Sequence, residues 1–90
     1  VSPYQIFKFY VPDMKIGSVI NSPLRKDSKP SFGFFARGND LLYHDFATGE
    51  SGNWIEFIMQ LFGLSTLKDA LRQVNYDMNL GLYAKVTNNK

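Results

Sequence analysis

The chain has no cysteine among its 90 residues, and it has a single histidine, His44. No disulfide can form within it, no thiolate can hold a structural zinc ion, and one histidine cannot hold a metal alone. The sequence also lacks a recognisable signal peptide and any apolar run approaching the ~18 residues of a membrane helix. These absences predict a cytoplasmic protein without a metal, a cofactor or a membrane contact.

The stability of such a chain has to come from packing. A domain of this size buries only roughly 60–65% of the surface of its unfolded chain. Aromatic residues make up 16% of the sequence and supply bulky side chains for a core. We expect one domain over residues 1–78, followed by a polar tail or linker over residues 79–90.

The charges are distributed unevenly, although the formal net charge is only +2. Five cations and one anion lie between Lys15 and Arg37, whereas four acids and neither Lys nor Arg lie between Asp40 and Glu56. A charged surface of this kind can be simply solvated. It can also form a basic face for a polyanion.

The first part of the chain predicts a small antiparallel sheet. Residues 3–11 follow a Ser-Pro helix start but also permit a strand. Residues 18–21 are expected to form a short strand, and residues 31–46 a hairpin that turns at Gly38-Asn39-Asp40. Alternation places Phe32, Phe34 and Ala36 on one face of this hairpin, and Phe35 and Arg37 on the other.

The second part of the chain predicts helices. Asn53 and Glu56 form a capping-box pattern before WIEFIMQLF, which is apolar almost all round and should be buried. Gly63 should end this helix, and Ser65 should cap the next one, whose apolar stripe runs from Leu67 to Met78. The expected fold class is α+β, with a small antiparallel sheet packed against two to three helices.

The stretch YHDFATGESGN, residues 43–53, is typical of a tight chain reversal. Such a reversal can bind a metal or a phosphate, or it can pack against the core of its own fold. A phosphate at the start of the following helix is disfavoured because Asp45 and Glu50 would repel an anion. A triad of Ser22, His44 and Asp45 has no spacing that activates a nucleophile. The chain also lacks a cluster of acids for metal-assisted nucleotidyl transfer. We therefore expect no catalysis by this chain alone.

The segments SPLRKDSKPSFGFF and LLYHDFATGESGNWIEFIMQLFGLS carry an ordered set of short motifs. The members of the set are Pro23, Pro30-Ser31-Phe32, Tyr43-His44, Phe46, Gly49, Gly52-Asn53 and Ile55-x-Phe57. In this order they resemble the zinc-binding domain of bacterial and phage DNA primases, and the similarity covers roughly residues 17–75. The resemblance implies a sheet of zinc-ribbon type.

The positions that match the zinc ligands of that family are Ser22, Arg25, Asp45 and Thr48. Arginine is a permanent cation that repels a metal, so the resemblance implies a zinc ribbon without zinc. An ion pair between Arg25 and Asp45 can join the two loops instead, while Ser22 and Thr48 bond turn backbones. Alternatively, Arg25 and Asp45 point to water.

The resemblance also implies a non-catalytic accessory domain of a phage or mobile-element primase that binds single-stranded DNA in the host cytoplasm. In sites that bind single-stranded DNA, cationic side chains contact the phosphates and bases stack on aromatic rings. The predicted DNA-binding residues are Lys26, Lys29, Arg37, Phe35, Tyr43 and His44. Packing roles for Phe35, Tyr43 and His44 remain open. The alternative function is a protein-interaction module that docks a primase polymerase domain or a helicase.

Overall fold

A computed structural model describes residues 2–26 and 29–79 of the chain. Within these residues, three helices and four strands occur in the order α1 Pro3–Tyr10, β1 Val19–Ile20, β2 Phe32–Arg37, β3 Asp40–Asp45, β4 Glu50–Gly52, α2 Trp54–Phe62 and α3 Leu67–Asp77. The prediction of an α+β fold with a small antiparallel sheet and helices is confirmed.

The four strands form one antiparallel sheet in the order β1-β2-β3-β4. The β2–β3 hairpin pairs Phe34 with Tyr43 and Gly33 with His44, and Gly38 in its turn has a φ of 62°, which glycine adopts without strain. Sequence reasoning missed β4, because Glu50, Ser51 and Gly52 carry no strand signal of their own. Backbone pairing with β3 overrides that low propensity.

Each helix begins at a side-chain cap. Ser2 and Gln5 form a capping box at α1, so the segment that also permitted a strand is helical, and Asn53 and Glu56 form the predicted box at α2. Gly63 ends α2 with a φ of 67°. The cap of α3 is Thr66, whose hydroxyl accepts the backbone N–H of Asp69, and not the predicted Ser65.

The core lies between the helices and one face of the sheet. Phe7 of α1 contacts the rings of Phe34 and Phe57, with centroids 5.1 and 5.3 Å apart, and the rings of Phe32 and Tyr43 are stacked. Their close packing joins α1, α2, β2 and β3 into one body. These aromatic side chains therefore supply much of the packing between the helices and the sheet.

The burial predicted for α2 was too extensive. Only Phe57 and Ile58 of this helix are buried, and Phe62 is 41% exposed, because α3 and the sheet cover two of its sides and leave another to solvent. In α3, Ala70 and Val74 of the predicted stripe are buried, whereas Leu67 is exposed.

The end of α3 is tied to α1. The hydroxyl of Tyr10 donates to Asp77 Oδ2 at 2.7 Å, and Gln73 Nε2 donates to the same oxygen at 2.8 Å. Burial, together with this hydrogen bond, raises the pKa of Tyr10 well above its usual range. The predicted tail over residues 79–90 lies outside the described residues except for Asn79. None of the helices described is long and apolar enough to cross a membrane.

Candidate nucleic-acid interface

The sheet has a second face, opposite the helices, which we call the open face. Successive side chains of a strand point to opposite faces of the sheet. The residues that alternate with the core residues therefore lie on the open face. It consists of Val19, Gly33, Phe35, Arg37, Asp40, Leu42, His44 and Ser51, together with Phe46, which directly follows β3. Phe46 is 64% exposed and Phe35 is 39% exposed. No helix assigned in residues 2–26 and 29–79 covers these two rings.

Three rings form a row on the open face. His44 lies between Phe46, with ring centroids 4.4 Å apart, and Phe35, with centroids 6.5 Å apart. Nδ1 of His44 is hydrogen-bonded to the hydroxyl of Ser51, its partner across β3 and β4. That bond fixes the plane of the imidazole. The row is therefore an aromatic surface of defined orientation that a ligand on the open face can contact.

A shallow groove of about 130 Å³ lies beside this row, lined by Val19, Gly33, Phe35 and Phe46 among others. Gly33 has no side chain to fill the space, and a Cβ atom placed there would lie 3.4 Å from Cε2 of Phe46. The φ of Gly33 is not positive, so its backbone does not require glycine. The Phe46 ring thus lies near the backbone of β2 at Gly33, at a distance that would leave an added methyl group in ordinary van der Waals contact.

Positive charge borders the open face at both ends of β2. Arg37 lies on the face itself, although Asp40 is its direct partner on β3 and partly offsets its charge. Lys26 and Lys29 are exposed in the β1–β2 loop, on either side of residues 27–28. The backbone N–H of Phe46 donates to the carbonyl of Ser31 at 2.7 Å. That bond brings the end of the loop, two residues after Lys29, to Phe46.

An ion pair joins the β1–β2 loop to the end of β3. The guanidinium of Arg25 donates through Nη1 to Asp45 Oδ2 and through Nη2 to Asp45 Oδ1 at 3.0 Å. Nη2 also donates to the hydroxyl of Ser31 at 3.2 Å. The Asp45 side chain is 3% exposed, whereas that of Arg25 is 34% exposed. The pair is thus buried at its anionic end and reaches solvent at its cationic end.

The same carboxylate organises the turn that follows β3. Asp45 Oδ1 accepts the backbone N–H groups of Ala47 at 3.0 Å and Thr48 at 3.3 Å. The hydrogen bonds from Arg25 are the largest cause that lowers the pKa of Asp45; burial opposes them, and the bonds from Ala47 and Thr48 lower it further. The aspartate is therefore held as an anion in the folded protein.

Ser22 and Thr48 bond turn backbones, as we expected from the sequence. The hydroxyl of Ser22 accepts the N–H of Leu24 at 3.0 Å, and that of Thr48 accepts the N–H of Glu50 at 3.2 Å. No group of three or more His, Cys, Asp or Glu side chains that could hold a metal occurs within residues 2–26 and 29–79.

The structure does not bring all of the predicted DNA-binding residues together. Phe35, Arg37 and His44 share the open face, and Lys26 and Lys29 lie in the adjoining loop. Tyr43 does not belong to this set, and its prediction was wrong.

Adjacent residues of a strand point to opposite faces, so Tyr43 and His44 could not both contact one ligand on the sheet. Tyr43 is 1% exposed, and its hydroxyl accepts a hydrogen bond from Gln60 Nε2 at 2.7 Å. Burial is the main cause that raises the pKa of Tyr43, followed by the nearby carboxylate of Glu56. Its ring belongs to the core.

Phe46 is the surface residue that sequence reasoning missed as a site residue. It follows His44 by two positions, so the alternation that continues past the end of β3 would have placed it on the same face. Val19, its neighbour across Gly33, lies in a strand of only two residues, which is too short for a pattern to be recognised.

Comparisons of the chain with protein-family models, with curated proteins and with solved structures give no significant match. What the open face can bind therefore follows from its own side chains: a row of aromatic rings, a small groove and cations at its borders. Such a surface is chemically suited to a ligand in which flat rings are attached to a negatively charged backbone.

Proposed function

We propose that this domain binds single-stranded DNA on the open face, as a non-catalytic accessory domain of a phage or mobile-element DNA primase. The observation that carries the binding proposal is the row of Phe35, His44 and Phe46, whose rings lie on a face that no described helix covers. Unpaired bases stack on such rings whatever their sequence. The primase context is supported by the resemblance of residues 17–75 to primase zinc-binding domains.

The charges suggest a weak and salt-sensitive interaction. Arg37, Lys26 and Lys29 can each neutralise a phosphate, but Asp40 opposes Arg37 and only a few contacts are available. We therefore expect a dissociation constant roughly in the non-specific range of 10⁻⁴–10⁻⁶ M, which rises with salt concentration. An accessory domain needs no more than this, because the remainder of a priming complex can supply further contacts.

The experiment is an NMR titration of the labelled protein with a short oligothymidylate at low salt. We expect shifts of the backbone signals of Phe35, His44 and Phe46. Replacement of Lys26, Lys29 and Arg37 together by alanine should remove most of the salt dependence. Replacement of Phe46 by alanine should instead weaken binding by ~1–3 kcal/mol, which is the contribution of one stacked base.

Tyr76→Ala is the matched control, because Tyr76 is 77% exposed but lies on α3, which packs against α2 on the far side of the sheet. This variant should bind as the wild type does. Absence of any shift at millimolar oligonucleotide would contradict the proposal. Shifts confined to α1 and α2 would also contradict it, and would favour the alternative of a module that docks a primase polymerase domain or a helicase.

The primase context has its own test. The coding sequence that flanks this chain either encodes a primase polymerase core or it does not. A core beside this domain supports the assignment, whereas an unrelated enzyme in that place contradicts it while leaving DNA binding to be judged by the titration.

A further inference from the structure

The groove beside the aromatic row is unusual for a sheet, because one strand position in the middle of a paired hairpin carries no side chain. Gly33 pairs with His44 on one side and with Val19 on the other. A glycine within a strand weakens it unless close approach of another group requires the space. The φ of Gly33 is not positive, so its backbone conformation does not require glycine, and what glycine provides here is space above the strand.

The group that approaches is the ring of Phe46. A Cβ atom at position 33 would lie 3.4 Å from Phe46 Cε2, 3.5 Å from the carbonyl oxygen of Ser18 and 3.7 Å from Cγ2 of Val19. These are ordinary van der Waals distances, so a methyl group fits at position 33, whereas a longer side chain would extend into the groove or against the ring of Phe46. The small size of residue 33 therefore keeps the space beside Phe35 and Phe46 open.

The size and walls of this space restrict what can occupy it. At about 130 Å³ it is smaller than the roughly 300–1,000 Å³ of typical small-molecule pockets, so it suits one ring rather than a whole cofactor. Its walls are apolar and include two phenyl groups. A single flat ring can lie there in contact with aromatic surface.

The charge of the surrounding chain indicates which ring. The segment from Lys15 to Arg37 contains β1 and β2, which supply most of the groove, and it carries five cations against one anion. Arg25 is paired with Asp45 and Arg37 lies opposite Asp40, so the excess positive charge comes from Lys15, Lys26 and Lys29. A ring attached to a polyanion is complementary to this excess, whereas a cationic side chain of another protein is repelled by it.

We propose that the groove over Gly33 is a subsite for one unpaired base of the bound strand, with Gly33 as part of its floor. This inference rests on the proposed function, since the strand must be bound before one of its bases can enter. The base lies in the groove in contact with Phe35 and Phe46, and its sugar and phosphates continue toward the bordering cations. The site consequently takes unpaired nucleotides, because a base inside a duplex cannot leave its stack without losing its pairing.

The test compares two probes, a short oligothymidylate and an abasic strand with the same number of phosphates. For the wild type we expect the oligothymidylate to bind about fivefold more tightly or better, the lower limit for one stacked base. Gly33→Val, which fills the groove, should bind both probes with the affinity of the abasic strand. Gly33→Ala should give an intermediate ratio, and it keeps the test valid if the valine variant does not fold.

The matched control is the Lys26→Ala/Lys29→Ala variant, which should weaken binding of both probes by the same factor and leave their ratio unchanged. A wild-type ratio retained in a folded Gly33→Ala and Gly33→Val pair would overturn the subsite while leaving DNA binding intact. Equal binding of the two probes by the wild type would also overturn it. Binding of neither probe would overturn the proposed function, and the subsite with it.

Discussion

Arg25 and Asp45 lie twenty positions apart in the sequence and are joined by two hydrogen bonds between one guanidinium and one carboxylate. The pair connects the β1–β2 loop to the end of β3. One guanidinium thus bridges two loops by binding both oxygens of one carboxylate. The geometry of the two planar groups makes this contact directional as well as attractive.

Removal of either partner should destabilise the fold to different extents. Asp45→Ala should lower the free energy of unfolding by about 2–4 kcal/mol, because it removes the pair and the acceptor for the N–H groups of Ala47 and Thr48. Arg25→Ala should lower the free energy of unfolding by about 1–3 kcal/mol, which is less than the loss expected for a fully buried pair. Solvent reaches the guanidinium, and in this variant Asp45 still accepts the N–H groups of the turn. Denaturant unfolding of both single variants and of the double variant measures the coupling.

We expect a coupling energy of about 1–2 kcal/mol in that cycle, within the range for residues in contact. Lys26→Ala serves as the control, since it removes a neighbouring exposed cation and should change stability by less than about 0.5 kcal/mol. Strictly additive losses from Arg25 and Asp45 would mean that the pair contributes no stability of its own.

Acid should weaken this contact in a defined direction. The pKa of Asp45 is lowered in the folded protein, chiefly by Arg25, from about 3.9 in an unfolded chain. Between those two values the unfolded state binds the proton and the folded state does not, so stability rises with pH there. The contribution of Asp45 is thus complete above about pH 5 and is lost as the pH falls through the folded-state pKa.

Thermal unfolding of the wild type and of Asp45→Asn, measured from neutral to strongly acid pH, isolates that contribution from the other carboxylates. The stability of the wild type should fall more steeply than that of the variant below about pH 4. Parallel curves for the two proteins would show that Asp45 has the same pKa in the folded and unfolded chain.

Metal removal should have no effect on stability. The chain has no cysteine, and the four positions that the sequence resemblance aligns with zinc ligands are Ser22, Arg25, Asp45 and Thr48, which bond to one another or to turn backbones. We expect the same melting temperature with and without excess chelator, and no zinc by elemental analysis of the purified protein. Stoichiometric zinc, or a large loss of melting temperature in chelator, would contradict this.

The parts of the fold that could be predicted are those in which local signals agree. The β2–β3 hairpin has alternation on both strands and a glycine turn, and α2 has a capping box and a terminal glycine. The strand β4 could not be predicted because its three residues owe their conformation to pairing with β3. The cap of α3 was misplaced by one residue because Ser65 and Thr66 are chemically equivalent caps.

The candidate site was predicted only in part, for a similar reason. The pairing of Arg25 with Asp45 followed from the resemblance, which aligned two loops that the sequence separates. Tyr43 was misassigned because its chemistry suits stacking, although strand alternation places it opposite His44. The groove over Gly33 depends on which ring crosses the glycine, and that is a tertiary relationship that no local pattern contains.

Tyr43 and Phe35 should therefore separate stability from binding when each is replaced by leucine. Tyr43→Leu should lower the free energy of unfolding by about 2–4 kcal/mol, because it loses ring contacts in the core and leaves Gln60 without its acceptor. It should bind oligothymidylate as the wild type does at temperatures where it is folded. Phe35→Leu should change stability by less than about 1 kcal/mol, since its ring is partly exposed, but should weaken binding about fivefold or more. Calorimetric unfolding and fluorescence titration of the two variants measure stability and affinity. If folded Tyr43→Leu lost as much affinity as Phe35→Leu, Tyr43 would belong to the binding surface.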